Sequence, residues 1–126
     1  MVNSMSVKTV VILGASLKQE RYANKAQRLL MKHGYKVIPV HPAQKEIEGV
    51  AVVKSLAEIA EKVDTVTVYL NPQVASGLSE ELIALRPRRV IFNPGTESSE
   101  LEESLGKNGM LIVRACTLVL LQTGQF

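Results

Sequence analysis

The chain has no tryptophan, two phenylalanines and three tyrosines. So few aromatic rings leave no stacking surface for the bases of a single-stranded nucleic acid. One cysteine, Cys116, excludes an internal disulfide and any cysteine-rich metal site. No apolar run approaches the ~18 residues of a membrane span. The opening Met1–Lys8 is polar and lacks the apolar core of a signal peptide, so the expected compartment is the cytoplasm. Charge of one sign is also scarce. The net charge is +3, and the only dense basic run is Arg86-Pro-Arg-Arg89, a better match to a small phosphate-bearing molecule than to duplex DNA. The G-x-x-x-x-G-K-[ST] pattern of a P-loop is missing, and so are internal repeats, low-complexity segments and linkers.

What is present suits one α/β domain over residues 1–126, with a flexible N-terminus at 1–7. A hydrophobic fraction of 46% and a charged fraction of 21% are ordinary for a globular chain. Its focus is Thr9-Val-Val-Ile-Leu-Gly-Ala-Ser16. Four branched residues, Val10 to Leu13, have the pattern of a strand covered on both faces. Gly14 then permits a turn closed to other residues, and a helix follows. A strand, a glycine turn and a helix start present main-chain N–H groups and a positive helix end to an anion.

Apolar residues at Tyr22, Ala26, Leu29 and Leu30 mark the first helix, which ends at His33-Gly34. Lys36–Val40 is a second strand, broken at His41-Pro42. Ala43–Lys54 is irregular with a turn at Glu48-Gly49, and Ser55 to Glu58 has the form of a capping box opening a short helix to Glu61. A third strand covers Asp64–Tyr69. Val74, Leu78, Leu82 and Leu85 line one helix, with Pro72 in its first turn and Gly77 inside it. Arg89–Phe92 is a fourth strand, Thr96–Lys107 a helix and Met110–Val113 a fifth strand. The apolar tail Thr117–Leu121 fits a strand or a last helical turn equally. The alternation implies a five-stranded, mainly parallel sheet with helices on both faces. Right-handed crossovers make 3-2-1-4-5 the expected strand order.

The strands end alike: on Gly14-Ala-Ser16, His41-Pro42, Asn71-Pro72 and Asn93-Pro94-Gly95. In a parallel sheet these ends share one edge, and ligands of open α/β sheets bind outside it at the switch point. With the order above, Gly14–Ser16 faces Asn93–Thr96. A G-x-G-x-x-G fingerprint would need glycine where Ser16 and Gln19 stand, and His41 with Lys45 occupy the place of the acidic residue that NAD requires. A basic group there favours a phosphorylated ribose, which leaves NADP or coenzyme A.

The ordered set Val11-Ile-Leu-Gly-Ala-Ser16 with Arg21, His33-Gly-Tyr-Lys-Val-Ile-Pro-Val-His-Pro42, Ile47-Glu-Gly49, Ser55-Leu56, Asp64-Thr-Val66 and Ala115-Cys-Thr117 resembles the CoA-binding domain family. These are small, stand-alone Rossmann-like proteins, similar also to the nucleotide-binding domain of the succinyl-CoA synthetase α subunit. The resemblance runs from Lys8 to Phe126. It implies that CoA or an acyl-CoA lies across the carboxyl edge. Gly14, Ala15 and Ser16 would meet the diphosphate, with Arg21 and Lys25 as nearby cations. Val40, His41 and Pro42 would border the adenosine, and Lys45 its 3′-phosphate. Leu70, Asn71 and Pro72 would flank the adenine or ribose. Asn93, Pro94, Gly95 and Thr96 would close the wall toward the pantetheine. Leu17 stands where relatives often carry a proline or second glycine, and His41 where an asparagine is frequent.

No base–nucleophile pair with an orienting acid can be assembled by spacing, so no catalytic residue is assigned. The larger CoA ligases need a phosphorylated histidine and further domains, and only His33 and His41 are present. The reading is therefore non-enzymatic binding of CoA or an acyl-CoA, as sensor or carrier. The alternatives are a small NADP-dependent or acyl-CoA-processing enzyme, and an interaction subunit with a vestigial nucleotide site. In the last case Leu118–Leu121 would meet a second copy or a larger protein. Cys116 is expected as a small buried hydrophobe, and the sharper alternative sets its thiol near the pantetheine sulfur.

Overall fold

The computed structural model describes residues 7–126. The flexible segment expected at 1–7 thus lies, apart from Val7, outside the described residues. The elements are β1 (Thr9–Leu13), α1 (Tyr22–Lys32), β2 (Lys36–Val40), β3 (Glu46–Ile47), β4 (Val50–Ala51), a 3₁₀ turn (Leu56–Glu58), β5 (Thr65–Val68), α2 (Pro72–Ser76), α3 (Ser79–Leu85), β6 (Arg89–Phe92), α4 (Ser99–Lys107), β7 (Leu111–Arg114) and α5 (Thr117–Gln122). Five strands form one sheet in the order β2-β1-β5-β6-β7, every pair parallel. The alternation along β1 divides the core. Val11 and Leu13 face Ala75, Leu82, Leu101 and Leu105 of α2, α3 and α4. Val10 and Ile12 face Ala23 and Leu30 of α1 and Leu121 of α5. Helices cover both faces, as the β-branched runs demand.

The strand order corrects the expected one. Counting only the five sheet strands, it is 2-1-3-4-5 and not 3-2-1-4-5. The cause is visible at the outer edge of β2. Val53 N donates to Pro39 O and His41 N donates to Val53 O, both at 3.1 Å, so the chain leaving the β3–β4 hairpin occupies that edge. The next strand must pair on the free side of β1. Pro39 agrees with this, since its O faces Val53 on the outer side and a proline has no N–H to give a full strand there.

Three local expectations also change. The helix expected through Val74–Leu85 is two helices, because the chain tightens at Gly77, where Gly77 N donates to Val74 O and Leu78 N to Ala75 O. The segment from Ser55 makes a single 3₁₀ turn with no cap from the Ser55 side chain. The apolar tail is helical, and α5 buries Leu121 against α1. The irregular stretch around Glu48-Gly49 contains a hairpin whose two central residues both have positive φ, 51° and 78°. That is the form of a two-residue type I′ connection.

Asp64, just before β5, receives Arg88 Nε at 2.8 Å and Nη2 at 3.2 Å, and Thr65 Oγ1 at 2.7 Å. Burial pushes its pKa up, but the bonds from Arg88 and Thr65 together outweigh that and hold it below its ordinary value of 3.8. A carboxylate held more acidic in the folded state stabilises it above the unfolded pKa, and that contribution is lost as pH falls through the folded value. Thermal melts of Asp64→Asn should therefore lie below wild type at pH 7, with the gap closing in acid below 3.8. A gap constant with pH would mean that the Asp64 charge contributes nothing.

Candidate functional site

The carboxyl ends of β1, β2, β5 and β6 carry three clefts in a row. Gly14 is the hinge. Its φ is +96°, and a Cβ built there would lie 2.9 Å from Leu70 Cδ2 and 3.0 Å from the Tyr69 carbonyl carbon. Only glycine lets β1 turn this close to the end of β5. The turn is pinned on both sides, by Ala15 N to Val40 O at 3.1 Å and by Tyr69 N to Leu13 O at 2.8 Å. Beyond it, buried Asn24 of α1 donates to Ser16 O at 2.8 Å and to Glu48 Oε2 at 3.1 Å, and accepts from Arg28 Nε at 2.8 Å. Gln19 Nε2 adds a second bond to Glu48 at 3.2 Å. The bonds from Gln19 and Asn24 keep the Glu48 carboxyl below its ordinary pKa. A hairpin tip thus clamps the loop between β1 and α1.

The middle cleft, about 370 Å³, is lined by Gly14, Ala15, Ser16, Arg21, Tyr22, Ala23 and Tyr69. It has main-chain donors, a hydroxyl, a guanidinium and the amino end of α1, which is chemistry for an anion. The second, about 420 Å³, shares Gly14 and Ala15 with it and runs between Val40–Pro42 and Leu70, Val74 and Leu78, with Lys54, Ser55 and Glu81 at its border. His41 turns inward on its own loop, its Nδ1 accepting from Ala43 N at 3.0 Å and Gln44 N at 3.1 Å. The third, about 450 Å³, shares Tyr22 and Tyr69 with the middle one and is otherwise walled by Asn93, Pro94, Cys116, Leu118, Val119 and Gln122.

Tyr69 stands between the middle and third clefts with its hydroxyl buried and unpartnered. The Thr67 and Thr117 hydroxyls beside it bond each other at 2.7 Å, and each draws the phenol's pKa down. Burial pushes the Tyr69 pKa up to about 12, which keeps a proton on the oxygen at neutral pH. It is a donor looking for an acceptor. Asn93 is the knot of the same region. Its Nδ2 donates to Thr67 Oγ1 at 2.7 Å and Val68 O at 2.9 Å, and its Oδ1 accepts from Thr117 N at 2.8 Å.

The residues singled out in the sequence divide accordingly. Gly14, Ala15, Ser16, Arg21, Val40, His41, Pro42 and Leu70 gather around the first two clefts, and Asn93 and Pro94 reach the third. Because β5 and not β6 neighbours β1, Gly14 faces Tyr69 and Leu70 where Asn93–Thr96 was expected. Thr96 is buried with its hydroxyl donating to Asn93 O at 2.8 Å, and Gly95 N donates to Glu97 at 2.9 Å. Asn71 caps α2, accepting from Val74 N at 3.0 Å, with Pro72 behind it. Lys25 lies over the Tyr22 ring at 5.5 Å, and Lys45 sits at the foot of the hairpin, where its O accepts from Val52 N. Sequence reasoning missed Tyr22, Lys54, Tyr69 and Glu81. For Tyr69 the signal existed, since it ends the strand that strand order 2-1-3-4-5 sets beside Gly14. The half-buried thiol of Cys116 opens on the third cleft.

Among the described residues there is no group of three or more His, Cys, Asp or Glu able to hold a metal ion, and no helix is long and apolar enough to cross a membrane.

Known proteins with this arrangement are similar over nearly the whole chain. A protein of known crystal structure superposes with a TM-score of 0.90 at 44% identity, covering 96% of this chain and 99% of its own. A Thermus thermophilus protein superposes at 0.88 with 33% identity, covering 97% and 92%. The Bacillus subtilis (strain 168) protein YneT is 26% identical over 106 residues, 84% of this chain and 78% of its own length. The model of the CoA binding domain matches residues 8–122, a span that takes in the lining of all three clefts, and the chain belongs to that family.

Proposed function

We propose that this chain binds coenzyme A or an acyl-CoA across its carboxyl edge without transforming it, as a carrier or sensor. One observation carries the reading: three clefts sharing walls, apolar, then anion-binding, then apolar, in the order of adenosine, diphosphate and pantetheine. Val40, Pro42 and Leu70 would sandwich the base. Gly14, Ser16 and Arg21 would hold the diphosphate, with Ala15, whose N–H is given to Val40 O, keeping the turn small. Lys54, which borders the adenosine cleft, would take the 3′-phosphate in place of Lys45. Tyr22, Tyr69, Pro94 and Cys116 would surround the pantetheine arm, and the Tyr69 hydroxyl would donate to one of its carbonyls. The donor set fits CoA. Of the apolar tail offered to a partner in the rival reading, Leu121 is buried in the core, while Val119 stays exposed.

The test is calorimetric titration with CoA, dephospho-CoA, pantetheine and NADP. CoA should bind most tightly, and at 100 times its dissociation constant should add about 2.7 kcal/mol to stability. Lys54→Ala should weaken CoA by about 2- to 5-fold and leave dephospho-CoA unchanged, the worth of one exposed charge pair. Arg21→Ala should weaken both and spare pantetheine. NADP binding without CoA binding would replace this reading by an oxidoreductase. No binding of any of the four would leave a protein partner as the function, and light scattering would then be the next measurement.

A further inference from the structure

Glu81 belongs to the first turn of α3 and borders the cleft between Gly14 and Val40–Pro42. One of its carboxylate oxygens is buried with no hydrogen-bond donor. A buried acceptor left unpaired is costly and calls for an explanation. The cleft does not supply one. Val40, Leu56, Leu70, Val74 and Leu78 are apolar, and Lys54, its one cation, is not within ion-pair distance of Glu81. The other titratable neighbour, His41, has its Nδ1 taken by the main chain of its own loop. The Ser55 hydroxyl at the same border does not donate to it either, and a largely apolar slot with an unpaired acceptor at its border is what a flat heteroaromatic ring bearing an amine would complete.

We propose that Glu81 reads the base: its orphaned oxygen accepts from the exocyclic amine of adenine and makes the cleft selective for a 6-aminopurine over a 6-oxopurine. This rests on the reading that the adenosine end lies here. A 6-oxopurine would turn a carbonyl oxygen toward the carboxylate, leaving two acceptors face to face, and a site built to pair with a donor rejects a ligand that lacks it. Sterically the two bases are nearly the same, so preference between them reports the hydrogen bond alone.

The experiment is titration of the full chain with CoA and with its deaminated counterpart, in which hypoxanthine replaces adenine. Wild type should prefer CoA by about 10- to 100-fold, the worth of one hydrogen bond to a charged group. Glu81→Leu should weaken CoA to the level of the deaminated ligand and abolish the preference. Glu81→Gln, with an amide that can present either its oxygen or its nitrogen, should tighten the deaminated ligand, a gain that no purely structural role of Glu81 would produce. Equal wild-type affinity for both ligands, or a preference that persists in Glu81→Leu, overturns the assignment while leaving CoA binding intact. Failure of wild type to bind CoA overturns both.

Discussion

Gly14→Ala should lower the folding stability by about 3 kcal/mol, from a left-handed backbone angle imposed on a side chain and an overpacked contact. For a chain of this length that is a fall in Tm of roughly 10–15 °C. The contact is what separates this site from other positive-φ glycines. Gly34 has φ +89° with open space where a Cβ would be, so Gly34→Ala should cost only the backbone strain, about 1 kcal/mol. At Gly14 the new methyl meets Leu70 Cδ2 and the Tyr69 carbonyl carbon. Leu70→Ala removes the first of these, so the double variant should be more stable than the sum of the single losses implies. Equal losses at Gly14 and Gly34 would mean that the close approach of β1 to β5 is not what requires glycine. Because Gly14 is shared by two of the clefts, CoA affinity should fall in Gly14→Ala even where the protein remains folded.

Asn93→Ala should cost roughly 3–5 kcal/mol, because it orphans buried partners on two elements at once. Thr117 N, Thr67 Oγ1 and Val68 O all lose a partner, and the first of these starts α5. Hydrogen exchange should show the loss locally, with the Thr117 amide among the first to lose protection. Asn93→Asp distinguishes the donor from the acceptor. It keeps an oxygen for Thr117 N but replaces the amide donor with an oxygen facing Val68 O. Near neutral pH it should be about as damaging as alanine. A proton on the new carboxyl restores a donor, so its folded-state pKa is raised above the unfolded value. Stability is then regained as pH falls through that raised pKa, and lost as pH rises through it. A variant insensitive to pH would mean that the Nδ2 bonds contribute little.

Much of this architecture is legible in the residues. The apolar runs at Thr9–Leu13, Lys36–Val40, Arg89–Phe92 and their neighbours are strands because both faces are covered, and they stop where Gly14, Pro42 and Pro94 stop them. Strand order is a different kind of information. Right-handed crossovers permit either arrangement, and the choice turned on two main-chain bonds made by Val53, a residue with no motif. Pro39 was the readable hint, since it belongs on an edge. The same error displaced the opposite wall of the crevice, from Asn93–Thr96 to Tyr69–Leu70. Lys54 and Glu81 were illegible for another reason. Each is one of many charged residues on the chain, and only the return of the 3₁₀ turn and α3 to the β2 edge brings them to the cleft. The helix break at Gly77 lay between the two, since glycine lowers helix propensity without dictating a break.

The pairing of β1 with both β2 and β5 also sets a timetable for the chain as it is made. Val10 finds Val37 early, but its other neighbour, Thr65, lies 28 residues beyond Val37. At ribosomal rates of about 5–20 residues per second that is a wait of roughly 1–6 s. Throughout it the most apolar strand of the protein has one edge of unpaired amides and carbonyls. The nascent chain therefore passes through a stage in which its future ligand edge is half built and open to any passing strand. Slowing translation between Lys36 and Thr65 should lengthen that stage and raise the fraction lost to aggregation.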